Sequence, residues 1–307
     1  MKLTFAHMSI AVMCEWFGIT RQAYYQHHRS CKNASVEHAI VLQEVNKIRS
    51  QHPRLGVRKL HLKLQEILSF HNIKMGRDKL FELLRENKLL VRKHRNRLKT
   101  THSHHWMKKY PNLIHDLTPQ RPNHIWASDI TYWKLQDRHV YISFITDLYS
   151  HKIVGYHVAE TLDSVQTLRA LKMALTGFLK EPSSPIQLIH HSERGSQYCE
   201  QNYVKLLRKY NIRISMTENG DPLENAEAER LNGIIKQEYL DHYRVKNIKD
   251  ATEKLAMAVM LYNNDRPHMS IGNQFPETVH KENMETNKLW KNYYIKKPIL
   301  VNQIQDH

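Results

Sequence analysis

The sequence predicts an α/β domain, a mixed five-stranded sheet flanked by helices, preceded by an all-α region of helix-turn-helix type. Three observations predict it. Up to about residue 90, apolar residues recur at helical spacing and are punctuated by Gly18, Pro53, Gly56 and Gly76. After Pro122 the texture changes to aromatic and β-branched runs with short polar breaks, as strands require. The charge divides near the same place: residues 1 to 120 hold 22 Lys or Arg against 8 Asp or Glu, a net of +14, whereas residues 121 to 307 hold 24 against 22, a net of +2. A chain of 307 residues with 41% apolar content has enough material for two domains and a core. Solubility does not require +14 on one segment, so the basic block points to a polyanion, nucleic acid first.

In the first segment, "SIAVMCEWFGITRQAYYQHH" (9 to 28) reads as helix, Gly-containing turn and second helix, with Thr20 as N-cap and Arg21, Gln22 and Tyr24 on the second helix. This is the pattern of a helix-turn-helix, shared with many helical hairpins. Residues 36 to 50 form another amphipathic helix. Residues 52 to 90 look like a second helical DNA-binding unit, in which Leu60, Leu62, Leu64 and Ile67 need burial and "GRDKLFELLRENKLL" repeats the scheme after Gly76. Arg21, Arg58, Lys59 and Arg77 are its candidate DNA contacts. The helical region thus covers 1 to 100. Its last residues, with Arg92, Lys93, Arg95 and Arg97, open a basic run that continues as a linker over 101 to 120. That run lacks core residues and reads either as a connector or as an arm lying along phosphates, where each neutralised phosphate makes binding more salt-sensitive.

In the second segment, "HIWASDITYWKL", "RHVYISFITDLYS" and "HKIVGYHVAET" read as three consecutive antiparallel strands. "SVQTLRALKMALTGFLK" follows as a helix with its stripe at Val165, Leu168, Leu171, Leu175 and Phe178. Then come the short strand "IQLIHH", the helix "QNYVKLLRKY", the strand "IRISMT", the helix containing "NAEAERLNGIIKQEY" and the helix "DATEKLAMAVMLYNND". A three-stranded meander followed by helix, strand, helix, strand, helix is the order of a ribonuclease-H-like fold, here over 121 to 280. The tail 281 to 307 is uninformative.

Cys14, Cys31 and Cys199 are odd in number and lack CxxC spacing, which excludes a disulfide framework and a cysteine-based zinc finger and fits a reducing, intracellular compartment. The 22 histidines, His102, His104, His105, His190 and His191 among them, do not make a zinc site without cysteines at ligand spacing. His268 in "RPH" is structural or DNA-facing. There is no apolar run of the roughly 18 residues that span a bilayer, and the start of the chain does not read as a signal peptide.

Three acids stand out. Asp129 lies inside the first strand among apolar residues, where an unpaired carboxylate is costly to bury; its partner is either an Arg or Lys or a divalent metal. Glu193 follows the short fourth strand in "HHSERGSQY", and Glu229 lies on the helix of "PLENAEAERLNGIIKQEY", with 35 residues between them. Glu224 and Glu227 are ordinary charges of a helix start, and Glu227 points off the face of Glu229. Lys236, seven residues beyond Glu229, falls on its face two turns later.

Asp129 in "DITY", the acid in "HSERGSQY" and Glu229 in "ENAEAERLNG" resemble the DDE transposases of bacterial insertion sequences. The resemblance is narrowest to the second-reading-frame product (OrfB) of elements with a retroviral-integrase-like core. "GDPLENAEAE", "YNNDRPHMSIGNQFPE" and, upstream, "HPRLGVRKL" and "GRDKLFELL" extend it from about residue 10 to about 280. The resemblance implies metal-dependent cleavage and strand transfer at element ends. Asp129 would bridge two Mg2+ ions (Mn2+ substituting), Glu193 would complete one and Glu229 the other. Phosphodiester chemistry needs an activated oxygen nucleophile and charge stabilisation on the leaving oxygen, which two hard cations about 3.5–4 Å apart supply. It further implies that Lys236 contacts the DNA end and that the protein works in the bacterial cytoplasm as an oligomer joining two DNA ends. Arg194, beside Glu193, is a further candidate DNA contact and with Asn225, one turn before Glu229, orients the site; Asn225 also reads as a plain helix cap, and His191 stands behind the acids. An upstream reading frame would supply a further helix-turn-helix and an oligomerisation helix through a frameshifted fusion, this chain with its own Met1 being the second part.

One residue departs from the pattern: the second acid is usually Asp and is Glu193 here. The added methylene moves the carboxylate by about 1 Å, a displacement that can cost roughly 10²-fold in rate. Two rival readings remain. One is a catalytically impaired copy that only occupies element ends; the other is a metal-dependent nuclease of the same fold, which would cut without joining.

Overall fold

The structure is a computed structural model that describes residues 8–91, 106–115, 117–135, 138–179, 187–218 and 225–285. It divides into two compact units, Met1–Lys93 and His94–His307.

The first unit is helical. α1 (Ile10–Trp16) is capped by Ser9, whose Oγ accepts from the Val12 amide at 3.3 Å. Gly18 takes the turn at φ +61°, a conformation that suits glycine. Thr20 caps the next helix as expected, its hydroxyl accepting from the Ala23 amide at 3.1 Å. That helix, α2, runs unbroken over Arg21–Gln51, where the sequence pattern suggests one helix ending near His28 and another beginning near Val36. No Gly or Pro interrupts the intervening stretch, and propagating a helix costs far less than nucleating a new one. α3 (Val57–Lys63) and α4 (Gln65–Phe70) meet at Leu64, and α5 (Arg77–Glu86) follows Gly76. Val41, Val45 and Ile48 of α2 pack with Leu60, Leu64, Leu68, Leu80, Leu83 and Leu84 into one core. The buried positions 60, 64 and 68 follow the helical period. Leu62, expected inside, therefore faces solvent, and Ile67 is half-buried.

The second unit is built on β1 (Ile125–Lys134), β2 (His139–Asp147), β3 (Ile153–Ala159), β4 (Ile189–Ser192) and β5 (Arg213–Met216). Their order is β3-β2-β1-β4-β5. β1, β2 and β3 pair antiparallel, while β1–β4 and β4–β5 pair parallel. This is the ribonuclease-H-like arrangement that the element order predicts. α6 (Ser164–Phe178), α7 (Ser196–Cys199) and α8 (Gln201–Lys209) cover one face; α9 (Ala226–Glu238) and α10 (Ile248–Asn264) cover the other, and α11 (Pro276–Glu282) closes the described chain. Side chains alternate as the pleat demands: Trp126 and Ile130 join the α6–α8 core, Trp133 the α9–α10 core.

α6 buries Thr167, Ala170, Leu171, Ala174 and Leu175, and Val165 of the expected stripe is exposed. Small residues face β3 because the helix backbone lies almost against it. A Cβ on Gly155 would stand 2.3 Å from the Ala170 carbonyl oxygen. The basic run also differs from a bare connector. Met107 and Tyr110 pack against the α6–α8 core, and residues 111 to 113 lie along β5. There the Met216 amide donates to the Pro111 carbonyl at 3.3 Å and the Leu113 amide to Ser215 Oγ at 2.8 Å. Among the described residues no helix is long and apolar enough to cross a membrane.

Candidate active site around Asp129

Asp129 occupies the middle of β1, and its odd-numbered position turns it toward α9. It is 8% exposed. Among the described residues no Arg or Lys pairs with it, so the ordinary explanation of a buried carboxylate does not apply. Its Oδ1 accepts from the Ile130 amide at 2.8 Å, and its Oδ2 accepts from Asn232 Nδ2 at 2.5 Å.

Glu193 reaches the same place through register. β4 runs parallel to β1 with Ser192 beside Ser128, so the next residue on each strand, Glu193 and Asp129, emerges side by side; adjacent strands lie about 4.8 Å apart. Glu193 is half-buried and lies past the last ladder residue. Glu229 arrives from the first turn of α9, exposed, with its amide bonded to the Asn225 carbonyl at 3.1 Å.

Asp129 feels both of the other carboxylates. Burial, then the charge of Glu193 and, more weakly, that of Glu229 push the Asp129 pKa up to about 8, against the opposing bonds from Ile130 and Asn232. Among the described residues, no group of three or more His, Cys, Asp or Glu side chains is gathered tightly enough to hold a metal by itself. The donor set is nevertheless one of hard oxygens whose mutual repulsion a cation would relieve. It suits Mg2+, which keeps several waters and binds through one or two carboxylates plus substrate phosphates.

Asn225, at the N-cap position of α9, does not cap it; its Nδ2 donates instead to the Ser128 carbonyl at 3.4 Å. It thereby ties the start of the Glu229 helix to the strand residue preceding Asp129. Sequence reasoning misses Asn232, although it lies three residues beyond Glu229 on the same face. His191 shares a hydrogen bond of 2.9 Å with Ser215 Oγ on β5. Arg194 is half-buried in the turn between Glu193 and Gly195. Lys236 rests over the Tyr132 ring, its Nζ 3.4 Å from the centroid. Glu227 turns to Arg230 at 3.7 Å and His151 at 3.9 Å, off the face of Glu229.

Beneath the site His190 Nε2 lies 2.8 Å from Ser128 Oγ and 3.0 Å from the Tyr203 hydroxyl, and burial, then the charge of His191, drives its pKa down to about 3, so it is neutral. His268 is buried, stacked on His151 and bonded to Ser270. In the first unit Arg21, Arg58 and Arg77 are exposed and Lys59 is half-buried. Arg92, Lys93, Arg95, Arg97, Glu224 and the tail from 286 onward lie outside the described residues.

A model of the integrase core domain matches residues 119–222 and a second integrase core model matches 210–276, so the first contains Asp129 and Glu193 and the second Glu229. An insertion element IS600 uncharacterized 31 kDa protein of Shigella sonnei is 35% identical over 269 residues, 86% of this chain and 96% of its own. The transposase for insertion sequence element IS629 of Shigella sonnei is 26% identical over 279 residues, 89% of this chain and 91% of its own. Transposase InsF for insertion sequence IS3A of Escherichia coli K12 is 30% identical over 174 residues, 56% of this chain and 59% of its own.

Proposed function

The chain belongs to the bacterial insertion-sequence transposases that carry an integrase core, so its reaction is DNA transposition, and from that premise we propose that Asp129, Glu193 and Glu229 are the acids that carry it. The observation that supports this most is a buried Asp129 on β1 that has no cationic partner among the described residues and feels the charges of Glu193 from the β4 turn and Glu229 from α9.

In this reading Asp129, Glu193 and Glu229 would hold Mg2+, with Mn2+ able to substitute. When bound, the ions activate the attacking oxygen and stabilise the leaving one in an in-line displacement. The protein's own part is positional. The Ile130 amide and Asn232 Nδ2 fix both oxygens of Asp129 and favour its ionised form against burial. Asn225 anchors α9 one residue from Asp129, so Glu229 is carried in one turn later at a set height. Lys236, two turns along that face, leaves the Tyr132 ring for a DNA phosphate. No side chain needs to act as a nucleophile: water, and then the freed 3′-hydroxyl of the element end, attack the phosphodiester. Arg21, Arg58, Lys59, Arg77 and the cations at 92, 93, 95 and 97 hold DNA by charge, as the +14 of residues 1 to 120 suggests. Joining two ends calls for at least a dimer, and the product of an upstream frame is the expected partner.

The test is cleavage and joining of a donor duplex carrying the element's ends, in Mg2+ or Mn2+, by the natural chain, Asp129→Ala and Glu193→Asp. The expected outcome is joining by the natural chain, loss of about 10³-fold or more in Asp129→Ala with DNA affinity kept within about tenfold, and no large gain from Glu193→Asp. Joining by Glu193→Asp alone would instead make the natural chain an end-binding protein on an intact scaffold. Joining that survives in Asp129→Ala would remove the site.

A further inference from the structure

The second unit, His94–His307, holds 29 basic and 23 acidic residues, a net of +6, and part of that excess gathers on one face. Residues 106 to 113 are held there by four bonds: Met216 amide to Pro111 carbonyl, Leu113 amide to Ser215 Oγ, Asn112 amide to Glu218 Oε1 at 2.8 Å, and Arg208 Nη2 to the Tyr110 hydroxyl at 3.2 Å. This strap places Lys108 and Lys109 beside α8. On α8, Lys205, Arg208 and Lys209 stand at i, i+3 and i+4, on one side of the helix. All five cations are exposed, and among the described residues none forms an ion pair.

Among the described residues, the neighbouring acids Glu200 and Glu218 form no ion pair with them. Glu218 accepts the strap amide just named. Glu200 caps α8, accepting from the amides of Asn202 at 2.8 Å and Tyr203 at 3.2 Å. Both carboxylates are thus turned to backbone N–H groups while the cations face water. One member of the cluster, Lys109, lies on the Cys199 side of it. Lys109 and Arg194 both lie close enough to the buried Cys199 thiol to oppose the rise in its pKa that burial causes, and Arg194 follows Glu193 in the chain.

Five cations without an ion pair, gathered from two chain segments with the local acids committed elsewhere, offer contacts for a polyanion with evenly spaced charges and few contacts that read bases. We infer that the strap and α8 form a second DNA seat, one that grips the sugar–phosphate backbone of duplex DNA of any sequence on the α6–α8 face of the catalytic unit, independently of the helical unit. The inference rests on the transposase reading for its ligand and adds to that reading where the duplex lies on the catalytic unit. A seat without base contacts suits the duplex whose sequence varies from event to event, the one that receives the element.

The test uses the full chain and a random-sequence DNA duplex, measuring affinity against salt concentration for the natural chain, for Lys205→Gln/Arg208→Gln/Lys209→Gln, and for Lys205→Gln/Lys209→Gln, which keeps the Arg208 bond to the strap. Lys246→Gln/Lys249→Gln, exposed cations elsewhere on the unit, is the control, and melting temperature checks folding. Each phosphate contact contributes about 0.9 to the slope of log affinity against log salt, so the triple variant is expected to lose roughly 2 to 3 from that slope and the double variant nearly 2. The control should lose less than either. In the joining assay the triple variant should still cleave element ends but join them to a second duplex at least tenfold more slowly. A slope equal to the natural one, or a control that falls as far, would overturn the inference, and so would a change confined to sedimentation, which would make the face a contact between copies. If the natural chain cleaves no ends while the slope still falls, the acid-site reading fails and the seat stands.

Discussion

Two aspartates are buried on the same β1–β2 ladder, Asp129 opposite Phe144 and Asp147 opposite Trp126, and they are solved in opposite ways. Asp147 receives the Asn123 amide at 2.7 Å, the Ser150 amide at 2.8 Å and the Ser150 hydroxyl at 2.6 Å, with His280 Nδ1 at 3.6 Å. Burial alone would push its pKa up, but hydrogen bonding and charge from His280, then the Ser150 bonds, outweigh burial and hold it below the usual range. Asp129 has two donors and faces two carboxylates, and its pKa rises. A buried acid whose lone pairs are all answered by the fold is a structural fastening; here it ties the turn after β2 to α11. A buried acid left short of donors and set against like charges carries a cost of ionisation, which a proton or a bound cation lifts.

The largest effect that would sharpen this contrast is on Asp147. Asp147→Asn should destabilise the protein by about 3 kcal/mol, since it removes one partner of a buried charged network, and denaturant titration of the purified chain measures it. Because the Asp147 pKa is depressed on folding, its contribution is present above the unfolded value near 4 and is lost as pH falls through the folded value. The natural chain should therefore lose stability steeply below about pH 4, and the variant less so. A variant as stable as the natural chain would deny Asp147 its fastening role.

Asp129→Asn should have the opposite sign and a smaller size. A carboxyl whose pKa is raised on folding stabilises nothing at neutral pH; its penalty is absent below about pH 4 and grows as pH climbs toward about 8. Without divalent cation the variant should be more stable than the natural chain by about 1 kcal/mol or more at pH 7, with the gain shrinking to nothing near pH 4. Millimolar Mn2+ should raise the melting temperature of the natural chain and leave that of the variant unchanged. A destabilised variant across this pH range would place Asp129 in the same class as Asp147.

Tyr198 carries the smallest expected effect. Its ring packs on Tyr203 at 5.6 Å, and its buried hydroxyl has no hydrogen-bond partner among the described residues. Burial, then the charges of Tyr203, Asp129 and Glu193, push its pKa well up, so it stays a neutral hydroxyl. Tyr198→Phe should leave stability unchanged or raise it by less than about 1 kcal/mol. A loss larger than that would reveal a bond the hydroxyl makes in solution and would add a donor to the acid site.

Much of this contrast is legible in the amino-acid sequence. Asp129 draws suspicion because a carboxylate between Ser128 and Ile130 in an aromatic, β-branched run has nowhere to go but inward. Glu193 and Glu229 carry turn and helix signals, and the 35 residues between them match the family that the motifs resemble. The partner of Asp129 is not legible: an amide three residues past Glu229 looks like any polar residue on a helix until the helix is seen to lie on β1. Asn225 shows the same limit, since Asn before a helix reads as a cap, and here the amide spans to another element.

Local chemistry by itself determined the elements: Thr20 as a cap, Gly18 as a turn, period-two strands after Pro122, the basic first segment and the three acids. These depend on short-range sterics, on periodicity and on charge, all of which neighbours in sequence carry. Only the tertiary structure decided that Leu62 and Val165 face solvent, that Asn232 answers Asp129, and that the basic run folds onto β5 beside α8. Those outcomes depend on which surfaces compete for the same core and on which partners stand close across more than a hundred residues of chain, as Asn232 does with Asp129 at a separation of 103.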